Sequence, residues 1–239
     1  MMADAVRVRR TKIVTTLGPA VDVDDVLVRM IAAGVDVVRL NLSHGTHEEH
    51  RRRVAAVRAA AASQGRDVGV LFDLQGPKIR IECFRTGSIE LKEGAEFTLD
   101  CALASDAGDG ERVGVTYKAL SHDVSVGDTL VLADGEIVFT VCKIEGEKVH
   151  CRVEVGGMLS DHKGLNRRGG GLSAEALTAK DRIDIKFAAE MEADFLAISF
   201  PRTAGDVERA RELLHASGGT AAIVAKIERA EAVENLDAI

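Results

Sequence analysis

The sequence predicts an α/β fold interrupted by a small all-β domain, and three observations carry that prediction. Apolar strands alternate with amphipathic helices up to about Gln75, and short alternating runs broken by turn signals fill about Gly76 to Leu172. The strand-helix rhythm then resumes after Gly169-Gly170-Gly171. Repeated strand-helix-strand implies parallel strands with right-handed crossovers. The domain limits that follow are 1-75 for the first part of the host, 76-172 for the insert and 173-239 for the host resumed. Because the host resumes where it paused, the insert enters and leaves at adjacent points, and it is expected to sit as a lid beside the strand ends.

Each element has a local reason. Lys12 to Leu17 reads as a strand, Asp24 to Ala33 as a helix and Val35 to Ser43 as a second strand. His47 to Ser63 reads as an Ala-rich helix opened by a capping box of Thr46 and Glu49, and Val68 to Leu74 as a third strand. In the insert, turns fall at Glu93-Gly94, Gly108-Asp109-Gly110, Gly127-Asp128, Asp134-Gly135, Gly146 and Gly156-Gly157. Between the last two, Lys148 to Val155 alternates, with Val149, Cys151, Val153 and Val155 on one face. Thr178 can cap a helix through Glu190, Phe195 to Phe200 is a fourth strand and Asp206 to Ala216 a helix. Ala222 to Glu228 is a fifth strand, and a last helix starts near Ala230.

Composition narrows the function classes. With 46% hydrophobic and 29% charged residues the chain is globular, and a net charge of -7 argues against nucleic acid as the main partner. Arg51, Arg52 and Arg53 read as the solvated face of a helix. The opening M-M-A-D-A-V-R-V-R-R lacks the apolar segment of a signal peptide, and no apolar run is long enough to span a bilayer, so a cytoplasmic protein is expected. The four cysteines, Cys83, Cys101, Cys142 and Cys151, have no C-x-x-C spacing and read as reduced, half-buried residues. His44, His47 and His50 are spread around a helix by their spacing of three and do not converge on a metal.

Polar residues gather where strands end. In V-D-V-V-R-L-N-L-S-H-G, Val35, Val37, Arg39, Asn41 and Ser43 share one side, whereas Val38, Leu40 and Leu42 share a wholly apolar one. The third strand ends in Asp73 before the breaker pair Gly76-Pro77, and the fifth ends in Lys226 and Glu228, two residues apart and hence on one face. Taken singly, these are a fraying strand, a turn-forming Asp and a rim ion pair. Taken together, three strand ends rich in Arg, Asn, Ser, Asp, Lys and Glu describe a phosphate-and-metal site.

The motifs T-K-I-V-T-T-L-G-P-A, R-L-N-L-S-H-G, D-L-Q-G-P-K-I-R, D-G-E-I, H-K-G-L-N, L-T-A-K-D and A-K-I-E-R-A-E occur in one order from Thr11 onward. In that order the chain resembles the pyruvate kinase family, in particular its bacterial forms. The resemblance implies a (β/α)8 TIM-type barrel, here incomplete, with the inserted β domain closing as a lid on nucleotide. It also implies phosphoryl transfer from phosphoenolpyruvate to ADP, giving pyruvate and ATP in glycolysis, by a homo-oligomer that is a tetramer in the family. By motif match, Lys226 would stabilise the transferring phosphoryl and the enolate oxygen, Arg39 would hold phosphate and Glu228 would bind Mg2+. Asn41, Ser43, Asp73 and the carbonyl of Leu74 match potassium-site positions, and Asn41, Leu42, Ser43, His44, Arg80 and Lys163 match nucleotide-contacting ones.

Two departures qualify the match. Some family members have Glu where this chain has Lys78 and need K+. An ammonium there supplies one positive charge near the phosphates in place of the ion, although the position also reads as a solvated surface lysine. The family's next strand, with a second Mg2+-binding Asp in a G-D-L-G-like motif, and a later strand with the Thr tied to enolate protonation lie outside these 239 residues. Five barrel strands of eight are expected here, which leaves two open sheet edges. The expectation is therefore a truncated chain or gene fragment of a pyruvate kinase with impaired turnover. The alternative is a non-catalytic or split-gene remnant that binds phosphate or nucleotide and completes its barrel with another chain.

Overall fold

A run of strands joined by helices can share one sheet only if the strands lie parallel, and the computed structural model, which describes residues 9-23 and 25-239, has that arrangement at both ends of the chain. In chain order the elements are β1 (Val14–Thr16), α1 (Val26–Ala33), β2 (Val37–Asn41), α2 (His47–Ser63) and β3 (Gly69–Asp73). There follow β4 (Ser88–Leu91), β5 (Glu96–Asp100), β6 (Arg112–Gly114), α3 (Leu120–Asp123), β7 (Thr129–Leu132), β8 (Ile137–Glu145) and β9 (Lys148–Val155). The last are β10 (Gly157–Ser160), β11 (Leu165–Arg167), α4 (Ala179–Glu190), β12 (Phe195–Ile198), α5 (Ala204–Ala216), β13 (Ala222–Ala225) and α6 (Ala230–Glu234). The chain divides into two compact units. One comprises the chain to Gly76 with Ala176–Glu228 and Asp237–Ile239, the other Pro77–Glu175 with Arg229–Leu236.

The first unit holds a curled parallel sheet in the order β1-β2-β3-β12-β13. Val38, Leu40 and Leu42, Val70, Phe72 and Leu74, and Leu196 and Ile198 are buried against Val54 and Val57 of α2, Ile185 and Ala188 of α4, and Val207, Ala210 and Leu214 of α5. Each large side chain so buried contributes about 2 kcal/mol of transfer free energy. The opposite face of β2, with Val37, Arg39 and Asn41, is only half-buried, as the alternation of the sequence requires. The sheet edge at β1 leaves Val14 55% exposed, which is what an open edge of an unclosed barrel looks like.

Helix starts follow their caps. Thr46 with Glu49, and Thr178 with Asp181, form reciprocal capping boxes at α2 and α4. Helix α5 begins two residues before the expected Asp206, because Thr203 is the cap and Asp206 is the third helical residue that answers it. Helix α1 starts at Val26, and Asp24, where the sequence places its beginning, lies outside the described residues, as do residues 1-8 of the N-terminal segment. Strands β1, β2 and β3 are shorter than expected at both ends, whereas β12 and β13 start where expected and stop early, β13 at Ala225 rather than Glu228.

The arginine run is corrected. Arg51 and Arg52 are exposed, but Arg53 is 8% exposed and makes a bidentate pair with Asp22, Nε to Oδ1 at 2.9 Å and Nη2 to Oδ2 at 2.6 Å. Those bonds outweigh the opposing effect of burial and hold the Asp22 carboxyl below its ordinary pKa. The histidines diverge: Nε2 of His47 meets Oδ1 of Asp184 at 2.7 Å, Nε2 of His50 meets the carbonyl of His44 at 2.8 Å, and His44 is exposed.

The second unit is built on a six-stranded sheet, β11-β7-β8-β9-β5-β6, and a β10-β4 pair, with the one-turn helix α3 and helix α6 added. Every strand pair in it is antiparallel except β5 with β6. Phe97 and Phe139 meet in its core at 5.6 Å between ring centroids. Val149, Cys151 and Val153 are buried as the alternation predicts, but Val155 is 47% exposed. The pairing jumps from Phe139 opposite Val153 to Val138 opposite Val155, so Glu154 is an extra residue in a bulge and the face reverses beyond it. All four cysteines are free, and only Cys83 is half-buried as expected: Cys142 is exposed, and Cys101 and Cys151 are buried in the core.

Candidate active site

Parallel strands finish at the same end of their sheet, so polar residues at the ends of β2, β3, β12 and β13 converge. Asp73, the last residue of β3, is 2% exposed, and a carboxylate that deep needs partners. Asn41 is its register partner on β2, and Arg39, two residues earlier, extends from the same face. Arg39 donates from Nε to Oδ2 of Asp73 at 2.7 Å, with Nη2 at 2.5 Å from the same oxygen. The third nitrogen of Arg39, Nη1, donates to Oγ1 of Thr16 at 2.9 Å, and Thr16 is its register partner on β1.

The other side of Asp73 is held by Lys226, whose Nζ donates to Oδ1 at 3.1 Å and to Oγ of Ser199 at 2.8 Å. Glu228 completes the set, its Oε1 3.4 Å from Nζ of Lys226 and its Oε2 accepting from the Phe200 amide at 3.2 Å. The face-sharing expected of Lys226 and Glu228 is met by their contact, although both lie in the loop after β13. Cations and carboxylates thus alternate in the order Arg39, Asp73, Lys226, Glu228, with the Asp buried. The Arg39 and Lys226 side chains keep 31% and 29% exposure, so each can still meet a solvent-borne anion.

Ser199 and Thr16 were not among the residues singled out from the sequence. Ser199 is 2% exposed and donates to the carbonyl of Leu74 at 2.6 Å. It follows β12 at the strand end, so the signal that marks Asn41 and Ser43 is present in I-S-F as well. The close approach also explains Gly76: its φ is +65°, and a Cβ there would stand 2.8 Å from Cβ of Ser199. The Gly76 amide donates to Oδ1 of the buried Asp181 at 3.1 Å.

Asn41 turns the chain out of β2. Its Oδ1 accepts from the Ser43 amide at 3.0 Å, its carbonyl from the His44 amide at 3.2 Å, and the Leu42 amide donates to the Asp73 carbonyl at 3.0 Å. Arg80, Lys163 and Lys78 belong to the second unit. There Arg80 bridges Gly164 and its Nη1 donates to the His162 carbonyl at 3.1 Å, which brings it beside Lys163, while the Lys78 carbonyl accepts from Oγ1 of Thr116 at 3.1 Å.

The profile of a family described as "Pyruvate kinase, barrel domain" matches residues 8-239. The chain belongs to the pyruvate kinase family. Pyruvate kinase II of Salmonella typhimurium is 54% identical over 227 residues, covering 95% of this chain and 47% of that protein. The pyruvate kinase of Haemophilus influenzae is 51% identical, covering 98% and 49%, and that of Mycobacterium tuberculosis is 42% identical, covering 97% and 48%. The chain spans about half the length of the curated relatives it matches. The curled five-stranded sheet of the first unit is accordingly an incomplete TIM-type barrel.

The donor set fits hard cations. Magnesium is bound by one or two carboxylates together with phosphate oxygens and water. Glu228 has a carboxylate one-third exposed for that purpose, whereas Asp73 is fully engaged by Arg39 and Lys226. Among the described residues no group of three or more His, Cys, Asp or Glu is arranged to hold a metal by itself, so a metal here would need substrate oxygens. The oxygens at the potassium-site positions, from Asn41, Ser43, Asp73 and Leu74, are of the class a monovalent cation takes. Among the described residues no helix is long and apolar enough to cross a membrane.

Proposed function

We propose that the strand-end cluster transfers the phosphoryl group of phosphoenolpyruvate to ADP. The observation that supports this is the buried Asp73 gripped between Arg39 and Lys226, which holds two partly exposed cations at one end of the sheet. The bond from phosphorus to the enol oxygen breaks, a bond from phosphorus to the terminal oxygen of ADP forms, and the enolate left behind takes a proton at carbon to give pyruvate. Negative charge spreads over the equatorial phosphoryl oxygens and the enolate oxygen, so fixed cations lower the barrier without doing covalent chemistry.

In this reading Arg39 holds the phosphate in the ground state, and Lys226 meets the charge that develops as the phosphoryl leaves. Mg2+ on Glu228 supplies further cationic charge when bound. Asn41, Leu42, Ser43, His44, Arg80 and Lys163 contact nucleotide, and Lys78 supplies the positive charge that K+ gives in other members. The complete protein acts in the cytoplasm as a homo-oligomer. A second reading, a phosphate- or nucleotide-binding chain that completes its barrel with a separate chain, is favoured by the exposed edge at Val14.

The test is a pair of substitutions in the full-length protein carrying this sequence. Lys226→Met should lower kcat by at least about a hundredfold with little change in KM for phosphoenolpyruvate, because an interaction made only in the transition state appears in kcat. Arg39→Met should change both. If Lys226→Met keeps kcat within about threefold of the parent, Lys226 is a rim ion-pair partner of Glu228 and the assignment fails.

A further inference from the structure

The turn from Asn41 to His44 is tied down by a residue outside the family's motif roles given above. Its own atoms satisfy the Ser43 and His44 amides, and β3 satisfies the Leu42 amide. The Leu42 carbonyl belongs to a residue 2% exposed, and it accepts from Nζ of Lys180 in the first turn of α4 at 2.7 Å. Lys180 is itself held by Oδ2 of Asp184, one turn further along the helix. The Asp184 side chain is 1% exposed, and its other oxygen meets Nε2 of His47 at 2.7 Å. The His47 ring lies flat on Phe187, with centroids 4.1 Å apart.

We propose that Lys180, backed by Asp184 and His47, is a positioning residue that locks the Leu42-His44 turn in its nucleotide-binding shape. A buried carboxylate with one donor on each oxygen is a fixed point, and it fixes the ammonium in turn. The ammonium then holds the Leu42 carbonyl, and with it the plane of the Leu42–Ser43 peptide. Preorganising a loop in its bound conformation raises affinity by removing the cost of ordering it. A further external tie, His50 on the His44 carbonyl, secures the far end of the same turn. That the turn binds nucleotide rests on the function proposed above, whereas the lock itself does not.

Amide exchange measured by NMR on the 239-residue chain separates the two. In Lys180→Met the Ser43 and His44 amides should exchange about tenfold faster, with Val38 and Leu40 unchanged. MgADP affinity of the full-length protein carrying this sequence, measured by titration calorimetry, should fall about fivefold. Lys180→Arg, which keeps a donor and a charge, should bring both to within about twofold of the parent. Exchange within about twofold of the parent in Lys180→Met overturns the lock, and so does a rise spread evenly over β2 and α4. Should Lys180→Met fail to fold, Asp184→Asn must give the same local pattern at smaller amplitude, and its absence overturns the proposal. A full-length parent that binds no MgADP refutes the nucleotide role of the turn, and the exchange arm still decides the lock.

Discussion

In the first unit every strand of the sheet runs the same way, whereas in the second all neighbouring strands but β5 and β6 run opposite ways. The consequence is electrostatic. Parallel strands put their last residues at one edge, so Arg39, Asp73 and Lys226 meet although they are separated by tens of residues in sequence. Antiparallel strands send their ends both ways, and exposed charges there pair two residues apart: Lys143 with Glu145 and Arg152 with Glu154. Such exposed pairs are worth little each. A site of converging charge is a product of strand direction before it is a product of residue choice.

If the two units are built on separate cores, the largest effect should stay in one of them. Phe139, fully buried in the second unit, loses its packing with Phe97 on replacement by Ala, at a cost of about 3 to 5 kcal/mol. Denaturant unfolding followed by exchange of β8 and β9 amides should show that loss, while β2 and β3 amides keep their protection. Equal loss in both sheets would mean that the cores unfold as one.

Within the first unit, Asp73→Ala should cost about 2 kcal/mol, less than a fully buried pair would, because Arg39 and Lys226 can reach water. The same change leaves Arg39 without its carboxylate and Lys226 with Glu228 alone. Inorganic phosphate or sulfate should then bind more tightly than to the parent, by about tenfold, as calorimetry would read. Weaker anion binding in Asp73→Ala would show that Asp73 shapes the site more than it neutralises it.

Local signals were the legible ones. Thr46 and Thr178 with their acidic partners mark helix starts because a cap is settled within four residues. The polar alternation of Arg39 and Asn41 marks a strand end for the same reason. What the sequence could not show are contacts that depend on register or distance. The partner of Arg53 lies 31 residues away, Val155 is turned outward by a bulge at Glu154, and Ser199 is recruited only because β12 pairs with β3. Lys226 and Glu228 were read from a strand that in fact ends at Ala225, and they meet through the loop beyond it.

Caps give a smaller test of how far local order supports the converging charges. Thr178→Ala removes the side-chain acceptor of the Asp181 amide and should cost about 1 kcal/mol. Asp181 also holds Gly76, which backs onto Ser199. The loss should therefore appear both as a lower denaturation midpoint and as faster exchange of the Gly76 amide. Faster exchange confined to α4 would separate the cap from the site.

The smallest effect is a pH dependence expected of the first unit through His50. Burial is the largest influence on this imidazole and lowers its pKa from 6.5, against the hydrogen bond to the His44 carbonyl, which raises it. In the unfolded chain the ring protonates near its ordinary value, so as pH falls below about 6.5 the unfolded state binds the proton more readily than the folded one. Stability from the neutral ring is therefore complete above that pH and is lost progressively beneath it. The depressed carboxyls of Asp22, Asp36 and Glu49 act in the same direction but only near and below their ordinary values of 3.8 to 4.5, which leaves a window between about pH 5 and 6.5 for His50. Thermal midpoints measured across that window should fall with pH in the parent and fall less steeply in His50→Gln. An unchanged slope in His50→Gln would assign the acid sensitivity to another group and leave His50 as a neutral tether of the turn alone.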